Sequence, residues 1–308
     1  MRESDLLRRV YAANGLLPSC VKIPPGDDMA AISVDGGSIL VAVDQVIEGR
    51  HVIVDEDPAM VGRKAIVRNV SDVAAMAARP LATLASVVLP RRYGEGRALQ
   101  LFDGLRSTAD LYGCPLIGGD TAIHADANGP LVVSVTILAT PAWSGARVVT
   151  RRGSQVGDGL FVTGRLGGSL ESGGGGRHLT FEPRLEEAIA LLELLGDGLH
   201  AMLDLSDGVG RDAARLVDHP DSELGIEIDA AAVPTNAGLP WQRGLGDGED
   251  YELLFTASGP VPEALFGLSV TRIGSVVARP GGRGPAVLVR DGDRHLDASD
   301  FGWEHAAT

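Results

Sequence analysis

Cysteine, lysine and aromatic rings are scarce in this chain, and the shortage of cysteine excludes something. The two cysteines, Cys20 and Cys114, form no spaced metal motif, and a lone pair cannot support a disulfide framework. A reducing cytoplasm is therefore the default compartment. No apolar run is long enough to span a bilayer; the most apolar, residues 81–89 and 131–139, read as buried strands. Met1 to Val10 is charged and reads as an opening helix rather than a signal peptide. The formal net charge is −14, and Lys22 and Lys64 are the only lysines. The net charge argues against any broad nucleic-acid or anionic-membrane surface. It also repels a phosphorylated ligand unless metal ions or a local arginine cluster reverse the sign of the field. The glycine-rich stretch 164–176 lacks G-x-x-x-x-G-K-[ST] and the tight strand-turn-helix of a dinucleotide site, so it reads as a flexible loop.

What is present is an ordinary globular composition, 44% hydrophobic and 22% charged over 308 residues, which suits two domains of middling size. Residues 141–159 are poor in long apolar runs and hold Arg147, Arg151 and Arg152, so the boundary is placed there, giving segments 1–142 and 143–308. In the first, two runs rich in β-formers, 29–34 and 38–43, flank the hairpin signal Asp35-Gly36-Gly37. Apolar residues at 61, 65, 66, 70, 73 and 77 predict a helix over 61–78 that Pro80 ends, and a second helix covers about 97–112. In the second segment, strands are expected at 160–163, 201–205, 224–228, 251–256 and 270–277, with helices at 183–195 and 209–217.

The chemistry lies in a set of acidic, glycine-flanked positions. If Asp35-Gly36-Gly37 is the turn, residues whose numbers sum to 72 face each other and Asp28 sits opposite Asp44. Paired strand residues have Cβ atoms only ~5 Å apart, where like charges destabilise, so a raised pKa, a solvated hairpin end or a cation is required. Asp72 lies within an apolar helix, where an unpaired carboxylate is costly. Asp120, Asp204, Asp207 and the pair Glu249-Asp250 occupy similar turns at strand ends. Singly, each is more often a cap or turn residue than a ligand. Together they are the oxygen donors that hard cations prefer. With no Cys/His cluster for zinc and no calcium loop, they point to magnesium and phosphoryl chemistry.

Taken in order, Gly26-Asp27-Asp28, the segment Asp44 to His51 (DQVIEGRH), Asn69 to Met76 (NVSDVAAM), Gly118-Gly119-Asp120-Thr121, Asp204 to Gly208 (DLSDG) and Gly248 to Leu253 (GEDYEL) resemble the motifs of the thiamine-monophosphate kinase family. The resemblance runs from about residue 20 to the C-terminus. It implies an α+β, two-domain, PurM-like architecture of the aminoimidazole-ribonucleotide-synthetase superfamily, with an N-terminal mixed sheet that pairs in a homodimer and a C-terminal α/β sandwich. It implies ATP bound near the cleft between domains and across the dimer interface, several Mg2+ ions, and phosphorylation of thiamine monophosphate to thiamine diphosphate.

Carried over by motif, Asp28, Asp44, Asp72, Asp120, Asp204 and Asp207 look like magnesium ligands. Gly119, Asp120, Arg151 and Ser206 look like ATP contacts, and His51, Glu249 and Trp303 look like contacts to thiamine phosphate. An aromatic face attracts a cation such as a thiazolium, although Trp303 fits a C-terminal core plug as well. No general base is assigned, because an acceptor phosphate oxygen is already an anionic nucleophile.

Three departures from the family pattern stand out. Ala42-Val43 replaces hydroxyl residues before Asp44, Met76-Ala77-Ala78 replaces Met-Gly-Ala, and the segment between Gly164 and Pro183 is short. Selenophosphate synthetase, whose Cys/Lys loop does not fit a Cys20 so close to Gly26, and a non-catalytic nucleotide-binding relative are the alternatives. A hydrogenase-maturation relative requires a C-terminal cysteine that this chain does not have.

Overall fold

The computed structural model describes residues 3–13, 15–217, 219 and 222–303. The opening helix is α1 (Glu3–Ala13), followed by β1 (Val21–Ile23), β2 (Ala30–Val34), β3 (Gly37–Ile47), α2 (Pro58–Ala75), β4 (Ala78–Leu89), α3 (Glu95–Leu111), β5 (Leu116–Ile123) and β6 (Val132–Pro141). The second half holds β7 (Gly159–Thr163), α4 (Arg177–Thr180), α5 (Leu185–Leu195), β8 (Leu199–Asp204), α6 (Val209–Asp212) and β9 (Leu224–Asp229). It continues with α7 (Trp241–Gly246), β10 (Leu253–Ala257), β11 (Ala264–Leu265), β12 (Leu268–Ala278), β13 (Val287–Asp291) and β14 (Arg294–Asp297). Met1 and Arg2 of the expected opening helix lie outside the described residues. Among the described residues no helix is long and apolar enough to cross a membrane.

Two mixed sheets organise these elements, in the α+β arrangement expected. The first runs β1-β2-β3-β6-β4-β5, with β4 and β5 parallel. The second runs β14-β13-β9-β12-β7-β10-β8, with β11 beside β12. Helices α2 and α3 cover the inner face of the first sheet, and α2 also packs on α5 and β8 of the second half. Strands β7, β8 and β10 of the second sheet are buried on both faces, so their side chains alternate between two cores. Leu160, Val162, Leu203 and Leu254 enter one core. Met202, Leu253 and Phe255 enter the other, where they meet Ala74 of α2 and Ala77 just beyond it. Helix α2 is thus wedged between the halves, which explains its unusually complete burial.

Several sequence expectations are corrected by the backbone. The β2-β3 turn is Asp35-Gly36, one residue shorter than expected, and Val34 pairs with Gly37. Paired residues therefore sum to 71, and Asp28 lies before the ladder rather than opposite Asp44. A one-residue slip of this kind moves every side chain to the other face.

Helix α2 begins where Asp57 accepts a hydrogen bond from Ala59 N at 3.0 Å with Pro58 in the first turn. It ends at Ala75 because Ala77 turns to a φ of +48°, not because of Pro80. Pro80 sits inside β4 beside a register shift. Asp120 was expected in a turn, but β5 continues through it. Gly119 makes that possible: its φ is +152°, and a Cβ there would lie 1.8 Å from the Ala85 carbonyl oxygen. The expected helix over 209–217 is split into α6 and a following 3-10 turn.

Candidate active site

Three carboxylates converge where the halves meet. Asp28 arrives from the segment before β2, Asp72 from the last turn of α2 and Asp204 from the end of β8, and one oxygen from each lies within 4.8 Å of the others. Arg151 Nη2 donates to Asp28 Oδ1 at 2.5 Å, while Arg151 N donates to Asp27 Oδ1 at 3.1 Å. Ser71 Oγ donates to Asp204 Oδ2 at 2.6 Å. Asp28 Oδ2 is buried with no partner.

Burial, with Asp28 as the next cause, pushes the Asp204 carboxyl up to about 7. Burial followed by Asp44, Asp204 and Asp28 raises Asp72 well above the carboxylate range. One guanidinium cannot neutralise this group. An orphan buried oxygen among closely spaced carboxylates has the donor chemistry of a hard-cation site, so the residues present fit magnesium.

Beside the cluster lies a pocket of about 560 Å³, lined by Arg50 to Val54, Arg68, Leu170 to Gly174, Ser206, Asp207, Glu249, Tyr251 and Trp303. Its floor is built around Lys64, which is fully buried on α2. Lys64 Nζ donates to the His51 carbonyl at 2.7 Å and contacts His178 Nδ1 at 2.7 Å, and it pairs with Glu249. Burial pushes the Glu249 carboxyl up, but His178 and the Lys64 and Arg68 cations outweigh it and hold it at about 2.

His51 is fixed at its other end, because Nδ1 accepts from Ile47 N at 2.9 Å. Tyr251 stacks on Phe181 at 3.9 Å between centroids. Trp303 is 43% exposed with the Arg50 guanidinium 3.9 Å from its ring centroid, so it is a pocket wall and not a core plug.

The glycine-rich stretch read as a flexible loop is instead tied down. Ser169 Oγ and Gly167 N donate to Asp250 at 2.6 and 3.0 Å, and His178 Nε2 donates to the Gly174 carbonyl at 2.8 Å. Gly174 lets it close on the pocket, since a Cβ there would lie 2.0 Å from Ile53 Cγ2.

Residues 26–140 match the family model described as AIR synthase related protein, N-terminal domain. A thiamine-monophosphate kinase of Rhodopirellula baltica is 33% identical over 303 residues, spanning 91% of this chain and 90% of the relative. The chain belongs to the thiamine-monophosphate kinase family. Among solved structures, AaThiL complexed with AMPPCP and TMP aligns with a TM-score of 0.72 at 26% identity, covering 98% of this chain and 96% of that one. The hydrogenase maturation protein HypE, at 15% identity and a TM-score of 0.64 over 96% of this chain and 99% of its own, shares the fold alone.

The other kinase-motif residues are distributed more widely than their order in the sequence suggests. Asp44 stands on the inner face of the first sheet in a row with Val135, Ala85 and Gly119, and pairs with Arg68 at 3.2 Å. Asp120 belongs to the neighbouring row with Ser86, Ser134 and Gln45, so it projects from the outer face and does not join the three-carboxylate cluster. Ser206 and Asp207 are pinned through their backbone N–H groups by Asp212 Oδ2 at 3.1 and 2.9 Å, and Asp207 Oδ2 accepts from Arg215 at 2.6 Å.

Lys64, Arg68, His178 and Asp212 were missed by sequence reasoning. Lys64 alone left a signal, as one of two lysines in the chain and set on the apolar side of a helix. Of the C-terminal motif, Gly302 and Trp303 are described, while Glu304 and His305 lie outside the described residues.

Proposed function

We propose that this chain transfers the γ-phosphate of ATP to thiamine monophosphate, giving thiamine diphosphate and ADP. The observation that carries this reading is the convergence of Asp28, Asp72 and Asp204, with an unpaired buried oxygen, beside a pocket walled by Trp303. An oxygen of the acceptor phosphate forms the new P–O bond as the bond between the γ-phosphorus and the β,γ-bridging oxygen breaks. The nucleophile is already anionic, so positioning and charge stabilisation lower the barrier and no general base is needed. Asp28, Asp72 and Asp204 would hold magnesium, and Asp44 and Asp207 would serve further ions. Bound magnesium supplies neutralisation of the charge spread over the transferring group. Arg151, Gly119 and Ser206 serve the nucleotide, and His51, Glu249 and Trp303 serve the acceptor, whose thiazolium displaces Arg50 from the Trp303 face.

The working form in this reading is a cytoplasmic homodimer in which segment 1–142 binds ATP and magnesium and carries the interface, and segment 143–308 completes the nucleotide and acceptor sites. Two features support it. Ile32, Val34, Val43 and Leu84 leave an exposed apolar patch on the outer face of the first sheet. Asp120 projects from that same face, where a second copy brings it to a nucleotide. A coupled ADP-release assay with Mg-ATP, with and without thiamine monophosphate, tests the activity. ADP formed only with the monophosphate and matched by thiamine diphosphate is the expected result; ATP binding without diphosphate overturns it.

A further inference from the structure

The acceptor proposed above is an anion, yet the residues carried over to hold it, His51, Glu249 and Trp303, include no permanent cation. The pocket wall contains two arginines. Arg50 is engaged with Trp303. Arg68 is different. It rises from α2 between the carboxylate cluster and the pocket, and its side chain is only 12% exposed. Its Nη1 donates to the Gln45 carbonyl at 2.6 Å and its Nη2 lies 3.2 Å from Asp44 Oδ2. Its Nε is buried with no partner. A guanidinium has five N–H donors in a rigid fork, and two anchored nitrogens fix the plane of this one while the third remains unsatisfied. Arg68 also lines the pocket, and Nη1 and Nη2 each carry a second N–H beyond the one engaged with Gln45 or Asp44, so the fork has donors to offer an anionic oxygen there.

The pocket's other charges do not compete for that anion. Lys64 is committed to Glu249, and Asp207 and Asp247 are balanced by Arg215 and Arg243. Asp44, Asp72, Glu249 and Tyr251 surround Arg68 electrostatically, and Asp44 is the strongest influence after burial. An arginine so enclosed keeps its charge at any working pH.

We infer that Arg68 recognises the phosphate of the acceptor, holding it at the boundary between the thiamine pocket and the carboxylate cluster so that one oxygen is presented to the γ-phosphorus. This assignment rests on the proposed kinase reading and adds to it a residue that separates phosphorylated from unphosphorylated acceptor.

The test compares calorimetric binding of thiamine monophosphate and of thiamine to the full chain with Mg-AMPPCP present, together with steady-state KM values. Arg68→Gln is expected to lose about ten- to hundred-fold in affinity for the monophosphate, with thiamine binding unchanged. Arg68→Lys keeps the charge but loses the fork, and falls between the two. Equal loss of thiamine and its monophosphate, or retention of the wild-type preference, overturns the assignment. If Arg68→Gln does not fold, Arg68→Lys carries the same comparison, and a wild-type preference for the monophosphate in that variant is the overturning result. A wild-type protein that neither binds nor phosphorylates thiamine monophosphate refutes the kinase reading itself, a failure seen before any variant is made.

Discussion

Replacing Lys64 by methionine isolates what the buried cation contributes. Lys64 is fully buried, and its Nζ reaches the His51 carbonyl, His178 and Glu249 together. Methionine has similar volume, so little cavity energy enters and the cost is that of stranding Glu249. Breaking a buried ion pair by removing one partner costs about 3–5 kcal/mol. Glu249 keeps 25% of its side-chain exposure, which places the expected loss near the lower end, about 3 kcal/mol.

The second variant Glu249→Gln removes the stranded charge. The double variant Lys64→Met/Glu249→Gln should therefore recover 1 kcal/mol or more, as an order-of-magnitude coupling for residues in contact. Urea unfolding of the four proteins closes the cycle. The pocket reports the same event, because His51 and Glu249 both lose their anchor, and affinity for thiamine monophosphate should fall alongside stability. A Lys64→Met protein within about 1 kcal/mol of wild type, or additive single and double variants, refutes the idea that this triad is a coupled floor to the pocket.

Two further outcomes follow from the carboxylates. Asp72→Asn and Asp120→Asn should each abolish turnover with the fold intact, and Asp72→Asn should also raise the urea midpoint of the metal-free protein by removing repulsion with Asp44, Asp204 and Asp28; near-normal activity of Asp72→Asn sinks the multi-metal reading, and near-normal activity of Asp120→Asn sinks the dimer-borne nucleotide contact. Asp204 is held at about 7 against an ordinary value of 3.8, by burial first and Asp28 second, so the folded state binds a proton that the unfolded chain releases between those values. Fewer protons on the unfolded state mean that metal-free stability falls as pH rises through that window. Magnesium binds the ionised form and should offset the fall; unfolding curves that keep the same pH slope with and without Mg2+ count against the metal assignment.

The amino-acid sequence by itself determined the chemistry and most of the elements. Short-range pattern was enough for that: helical spacing placed α2, apolar runs bounded by glycine placed β7, β8 and β12, and six acidic motifs in order carried the family. The sequence missed β13 and β14 because their short runs lie among glycine and charge with little periodic signal. Only the tertiary structure decided which carboxylates meet. The Asp35-Gly36 turn leaves Asp28 before the ladder and not opposite Asp44, and it meets Asp72 and Asp204, which are distant in sequence. The face on which Asp120 projects, the arginine fork of Arg68 and the buried contacts of Lys64 are likewise fixed by strand pairing and by the wedging of α2 between two cores. Long-range packing sets those positions, and no local pattern encodes it.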